Sequence, residues 1–176
     1  QQESSLESET IDGYRIHLSA NIDDVGDIDD VRKSGAAGIG LFRTEYLFMD
    51  KIPTEEEQFE VYRKIVAGAD GQGVIIRTLD LGGDKLSAVL QTTPDPNPFL
   101  GQRSIRLCLA YPELLMPQLR AILRASAFGP ARLMFPMVTC EDEIDRLKEM
   151  LDKARTEQRL EKLTIDELME ACIMVE

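Results

Sequence analysis

The sequence has no tryptophan, one histidine and three cysteines among 176 residues, and aromatics make up only 6% of it. Each scarcity excludes something. Cys108, Cys140 and Cys172 stand far apart with no paired spacing, which is the pattern of neither a zinc site nor a disulfide framework, so a reducing cytoplasm is the expected compartment. All three are expected to be small buried apolar residues. The one histidine, His17, falls in a strand-like segment, where a lone imidazole is more often an ordinary residue than a catalyst. It receives no role. No apolar run approaches the roughly 18 residues of a membrane span, and the acidic start QQESSLESET has neither the basic beginning nor the apolar centre of a signal peptide. Positive charge is scarce too. A net charge of −12 argues against nucleic acid or an anionic membrane as partner.

What is present is the composition of a globular domain, 43% hydrophobic, or of part of a larger one. Residues 1–10 have the composition of a linker, and residues 11–176 form the folded part. Asp12-Gly13 marks a turn, and YRIHLSAN reads as a first strand ending at Asn21. DIDDVRKSG reads as a short helix stopped by Gly35. PTEEEQFEVYRKIVAGADG is a helix with Thr54 and Glu57 as a capping box. GVIIRTLD is a strand, followed by a long Gly- and Pro-rich connection of the kind that is usually functional. Two helical pieces broken at Tyr111-Pro112 come next, then the strand ARLMFPMV with Pro136 where it should stop. An amphipathic helix from Cys140 and a last strand, ACIMVE, close the chain.

Consecutive rather than alternating apolar residues imply strands buried on both faces, hence a parallel sheet. A doubly wound sheet is one possibility. A partial (β/α)8 barrel, with about five strands and four intervening helical segments, is the other. The barrel explains an oddity: GIGLFRTEY and GVIIRTLD each run without a turn residue from a buried strand into Arg43 and Arg77. In a barrel, Asn21, Arg43, Arg77, Pro136 and Glu176 would all face one rim at the C-terminal strand ends. Two arginines there suit a phosphate or carboxylate, Lys85 and Arg103 could add charge, with Arg106 in the same basic cluster, and Glu176 suits Mg²⁺. The same spacing equally suits a structural network in which Arg43 and Arg77 pair with Glu45 and Asp80. The last strand has no following helix, so the chain reads as a fragment.

GIGLFRTEYLFMD, PTEEEQFEVYRKIV, VIIRTLDLGGDK, NPFLGQRSIRL, QLRAILRASAFG and LMFPMV, in order from about Thr10 to Glu176, resemble the phosphoenolpyruvate-binding domain of the phosphoenolpyruvate–protein phosphotransferases, enzyme I of the bacterial sugar phosphotransferase system. Pyruvate phosphate dikinase and phosphoenolpyruvate synthase share the strand-end arginines and an NPxLGxR-like motif but match the other segments less well. The resemblance implies a (β/α)8 barrel that gives the phosphoryl group of phosphoenolpyruvate to a histidine on a separate domain, from which it passes to a histidine-containing phosphocarrier protein. It also implies a cytoplasmic homodimer. Arg43 and Arg77 match the family's substrate-binding arginines, Arg103 and Lys85 match basic residues near the phosphoryl group, and Glu176 matches the first of two acidic Mg²⁺ ligands. The acceptor histidine, the second metal ligand, the third substrate arginine and the proton-donor cysteine have no counterpart here, so no catalytic residue is expected in this chain. Outside that resemblance, a non-catalytic module binding an anion or a partner chain, or a dikinase relative, is the rival reading. The two arginines are expected to serve substrate rather than stability.

Overall fold

The computed structural model describes residues 8–82 and 103–175. Their strands are β1 (Ser19–Ile22), β2 (Gly38–Arg43), β3 (Val74–Arg77), β4 (Ala131–Val138) and β5 (Ala171–Val175). The helices are α1 (Ile28–Ser34), α2 (Glu55–Gly68), α3 (Ser104–Ala110), α4 (Pro112–Ala125) and α5 (Glu141–Leu160). All four strand pairings are parallel, and the spatial order is the chain order, β1-β2-β3-β4-β5. A doubly wound sheet reverses its order at a switch point. This one never does. A singly wound parallel sheet with interposed helices is the path of a (β/α)8 barrel, and five strands form an open part of one.

Local chemistry sets the elements. The Thr54 hydroxyl accepts the Glu57 N–H at 3.2 Å, while the Glu57 carboxylate accepts the Thr54 N–H at 2.8 Å, so the capping box opens α2 as its sequence implies. Gly35 ends α1 at φ 81°, a left-handed conformation that costs glycine little. Pro112 opens α4 at a position whose N–H has no helical partner to lose.

Phe42, Ile76, Leu133 and Phe135 point to one face of the sheet, where they join Tyr62, Ile65, Leu119 and Ile122 of the helices in one core. The other face carries Leu41, Ile75, Met134 and Cys172, all half-buried, because no second layer covers it among the described residues. Burial of the strands on both faces is therefore not seen.

Three other expectations change. The first strand starts later than YRIHLSAN suggests: pairing begins as the Ala37 N–H donates to the Leu18 carbonyl, and Ile16 and Leu18 stay exposed. β4 runs past Pro136 to Val138. The ladder to β5 is irregular between Phe135 and Val138, and Met137 takes φ 54°. A proline with no N–H to donate is accommodated by a local break in pairing rather than by ending the strand. Of the cysteines, only Cys108 is buried; Cys140 is exposed and Cys172 intermediate, since Cys140 sits at the solvent-facing start of α5 and Cys172 lies on the uncovered side of β5.

Candidate functional site

β2 and β3 end together. Arg43 and Arg77 are register partners on adjacent parallel strands, so their side chains leave the same face of the sheet at the same rim. It is the face opposite the helices, because their neighbours Phe42 and Ile76 point into the core.

The two arginines have different surroundings. Arg77 is held between carboxylates: its guanidinium meets Glu45 at 3.0 Å and Asp80 at 3.1 Å, with side-chain exposures of 14%, 17% and 8% respectively. Glu45 Oε1 also accepts the Asp80 backbone N–H at 3.1 Å, which closes the triad on itself. Met174 of β5 reaches the same guanidinium through its sulfur. Arg43 pairs with Asp23 at 3.2 Å in an open setting. It does not meet Glu45 in an ion pair, so the purely structural network suggested by spacing is realised for Arg77 and not for Arg43.

Arg103 sits at the N-cap of α3 and faces the other Asp80 oxygen at 3.8 Å, an ion pair longer than a hydrogen bond. It is placed there by an isolated bridge to Gly82 and by the next residue, Ser104, whose N–H donates to the Leu81 carbonyl. Asp80 thus links Arg77 to Arg103. Arg106 is taken elsewhere, to Glu143 and Thr139 at the start of α5. Asn21 lies inside β1, paired with Leu41 rather than at the rim; Asp23, just past the strand, occupies the place foreseen for it. Lys85 and Glu176 lie outside the described residues, as does most of the Gly- and Pro-rich connection with its NPFLGQ motif.

A cleft of about 470 Å³ opens beside Arg43, lined by Asp23, Arg43, Glu45, Tyr46, Met49 and Asp50. A second depression of about 430 Å³ lies where the strands begin and is lined by His17, Gly38, Gly73 and Arg132 among others. It contains none of the strand-end arginines, and the rim is the better candidate on chemical grounds. In the ion pairs at the rim, three arginines face three carboxylates and their charges cancel, while Asp50 adds a further carboxylate to the cleft. A tightly bound anion therefore needs additional positive charge. Among the described residues no group of three or more His, Cys, Asp and Glu could hold a metal ion. Glu45 and Asp80 are committed to Arg77, so the described residues by themselves do not fit one.

The whole chain, residues 1–176, matches the model of the PEP-utilising enzyme, PEP-binding domain family. The chain belongs to that family. Among curated proteins it is similar to the phosphoenolpyruvate-protein phosphotransferase of Staphylococcus carnosus, with 48% identity over 97% of this chain and 30% of that protein. The protein of the same name from Haemophilus influenzae is 46% identical over 95% of this chain and 29% of its own length. The chain thus spans about 30% of these relatives. As a PEP-binding-domain chain it has the fold its motifs implied. It also has a feature those motifs did not announce: Thr44 and Thr78, each next in sequence to a rim arginine, are completely buried. The repeated Arg-Thr dipeptide was the available signal.

Proposed function

We propose that this chain forms part of the phosphoenolpyruvate-binding catalytic domain of a phosphoenolpyruvate-dependent protein-histidine phosphotransferase, the first step of sugar uptake by the phosphotransferase system. The observation that carries the reading is the register pairing of Arg43 with Arg77 at the ends of adjacent parallel strands, in a chain whose relatives are named for that reaction. In such a transfer the phosphoryl group leaves the enol oxygen of phosphoenolpyruvate for a histidine nitrogen, and the enolate left behind takes up a proton to become pyruvate. The chain's own side chains would bind, orient and neutralise. Arg77, fixed between Glu45 and Asp80, offers a preset fork; Arg43, held among the described residues by an open pair with Asp23, can turn toward phosphate or carboxylate. Arg103 and Lys85 would add charge near the phosphoryl group. The balanced charge at the rim supports a cation as a further requirement. Mg²⁺ is the proposed one, resting on Glu176 and on residues beyond those described, and it would supply additional charge neutralisation. The remaining elements of the reading are a cytoplasmic homodimer that passes its phosphoryl group to a histidine-containing phosphocarrier protein.

The test is phosphotransfer by the longer protein from labelled phosphoenolpyruvate to the carrier. Arg43→Ala should lower turnover by about 10²–10³-fold, the scale of losing one charge-stabilising contact. This chain alone should leave the carrier unlabelled. Robust labelling by the chain alone, or full activity of Arg43→Ala in the longer protein, would overturn these assignments.

A further inference from the structure

Behind the rim arginines, on the helix side of the sheet, lies a chain of polar groups that neither the family motifs nor the ion pairs account for. Gln118 of α4, Tyr62 and Gln58 of α2, and Thr44 after β2 are each no more than 1% exposed. Gln118 is the hub. Its Nε2 donates to Thr44 Oγ1 at 3.2 Å and to the Tyr62 hydroxyl at 3.0 Å, and its Oε1 accepts the Leu79 N–H at 3.0 Å. Thr44 Oγ1 in turn donates to the Arg77 carbonyl at 3.0 Å. On the far side, the Tyr62 hydroxyl donates to Gln58 Oε1 at 3.0 Å, and Gln58 Nε2 donates to the Pro53 carbonyl at 3.1 Å.

The direction of these bonds is fixed. The Leu79 N–H can only donate, so it must meet the amide oxygen, and both amide hydrogens are then committed to Thr44 and Tyr62. A flipped amide would set donor against donor at Leu79. One side chain therefore grips the backbone immediately after β2, through Thr44, and two residues after β3, through Leu79. These are the segments that launch Arg43 and Arg77. Buried polar groups so fully satisfied hold one geometry, because any displacement leaves a desolvated donor or acceptor unpaired. Burial raises the Tyr62 phenol above its ordinary range, with the hydrogen bond from Gln118 opposing and the charge of Glu45 adding to the rise, so the hydroxyl stays a neutral donor.

We infer that Gln118 is a positioning residue for the rim, setting the spacing of Arg43 and Arg77 by tying the backbone after β2 to the backbone after β3. The inference deepens the functional reading above and rests on it for the identity of the substrate. Misplacement of reacting groups by about 1 Å can cost about a hundredfold in rate, so the tie has a kinetic consequence that its share of stability does not express.

The test uses the longer protein with two volume-matched variants, Gln118→Met and Gln58→Met. Both break the buried chain and both should lower the melting temperature. Only Gln118→Met cuts the link to the strand ends, so only it should lower kcat/KM for phosphoenolpyruvate, by about 10- to 100-fold. Thr44→Val should produce a similar loss, and the double variant Gln118→Met with Thr44→Val should lose no more than the worse single one. Amide hydrogen exchange supplies a readout that needs no substrate: protection should fall over residues 44–48 and 78–82 in Gln118→Met and hold in Gln58→Met. Should the wild-type protein fail to use phosphoenolpyruvate, the functional reading falls, and exchange at the two strand ends still decides the positioning role. Unchanged exchange there in Gln118→Met, or equal kinetic losses in Gln118→Met and Gln58→Met, would overturn it.

Discussion

Removing Arg77 and removing Arg43 should have very different thermal consequences, although the two residues occupy equivalent sequence positions. Arg77→Ala leaves Glu45, whose side chain is 17% exposed, without its cation, and leaves Asp80, 8% exposed, with only its longer 3.8 Å pair to Arg103. Taking one partner from a buried ion pair costs about 3–5 kcal/mol, mostly as uncompensated desolvation of the charges left behind. In a domain of this size 1 kcal/mol shifts the midpoint by about 2–4 °C, so the variant should melt roughly 6–20 °C lower. Arg43→Ala removes only a pair with Asp23 in which the side chains are 44% and 56% exposed. Such pairs contribute about 0–1 kcal/mol, and the midpoint should fall by no more than about 4 °C. Melts of this chain followed by circular dichroism at neutral pH would measure both. The double variant Arg77→Ala, Glu45→Gln supplies the decisive control: with the stranded carboxylate neutralised and Asp80 kept for Arg103, it should regain most of the loss. An Arg77→Ala chain melting within about 2 °C of wild type would refute the reasoning, since no buried charge would then have been left uncompensated. The expectation that neither arginine contributes to stability is thus retained for Arg43 and replaced for Arg77.

Acid provides another test: the salt link to Lys51, then the Thr54 N–H and hydroxyl, hold the Glu57 carboxyl at about 2, below its ordinary 4.5. A folded-state value lowered in this way contributes stability that is present above about pH 4.5 and lost as pH falls toward 2, so Glu57→Gln should flatten the melting temperature across that window. Thiol labelling of the native chain should modify Cys140 first and Cys172 slowly. Cys108, pushed up to about 12 by burial and then by the charge of Asp80, should react only on unfolding. Asp23→Asn should tighten binding of phosphoenolpyruvate to the longer protein by releasing Arg43 from its only charged partner among the described residues; weaker binding would argue that Asp23 orients the arginine instead. Light scattering at micromolar concentration should find this chain self-associated, because β5 presents Ile173 and Val175 at 38% and 73% exposure on an open edge; a monomer at all concentrations would count against that.

Much of this architecture was legible from local chemistry. Thr54 and Glu57, Gly35, and Tyr111-Pro112 mark boundaries that the structure keeps. The strand-end arginines were legible because an arginine following three apolar residues with no turn between them has few other places to go. What could not be read were pairings set by register. Arg43 chooses Asp23 over Glu45 because β1 lies beside β2, a neighbour relation that the sequence around Arg43 does not contain. By sequence Arg106 falls in a basic cluster, yet the helix it sits on carries it to Glu143, 37 residues away in sequence. Nothing in the sequence next to Gln118, which lies between Pro117 and Leu119, marks it out. Only tertiary structure brings it to Thr44 and Leu79.

The differing settings of the two arginines bear on how such a rim could meet a substrate. A guanidinium already locked between two carboxylates incurs little further ordering when an anion arrives, because its rotamer is fixed in advance. Its local field is also partly cancelled by those carboxylates, which limits what it can offer in charge alone. An exposed arginine beside a single exposed aspartate has the opposite properties: it must be ordered on binding, yet Asp23 can return to water at little cost. Arg77 would therefore contribute geometry and Arg43 adjustable charge. Gln118 serves both by fixing where their strands end. The same reasoning explains why charge beyond the described residues matters to the proposed reaction: three arginines balanced by three carboxylates orient an anion better than they attract one.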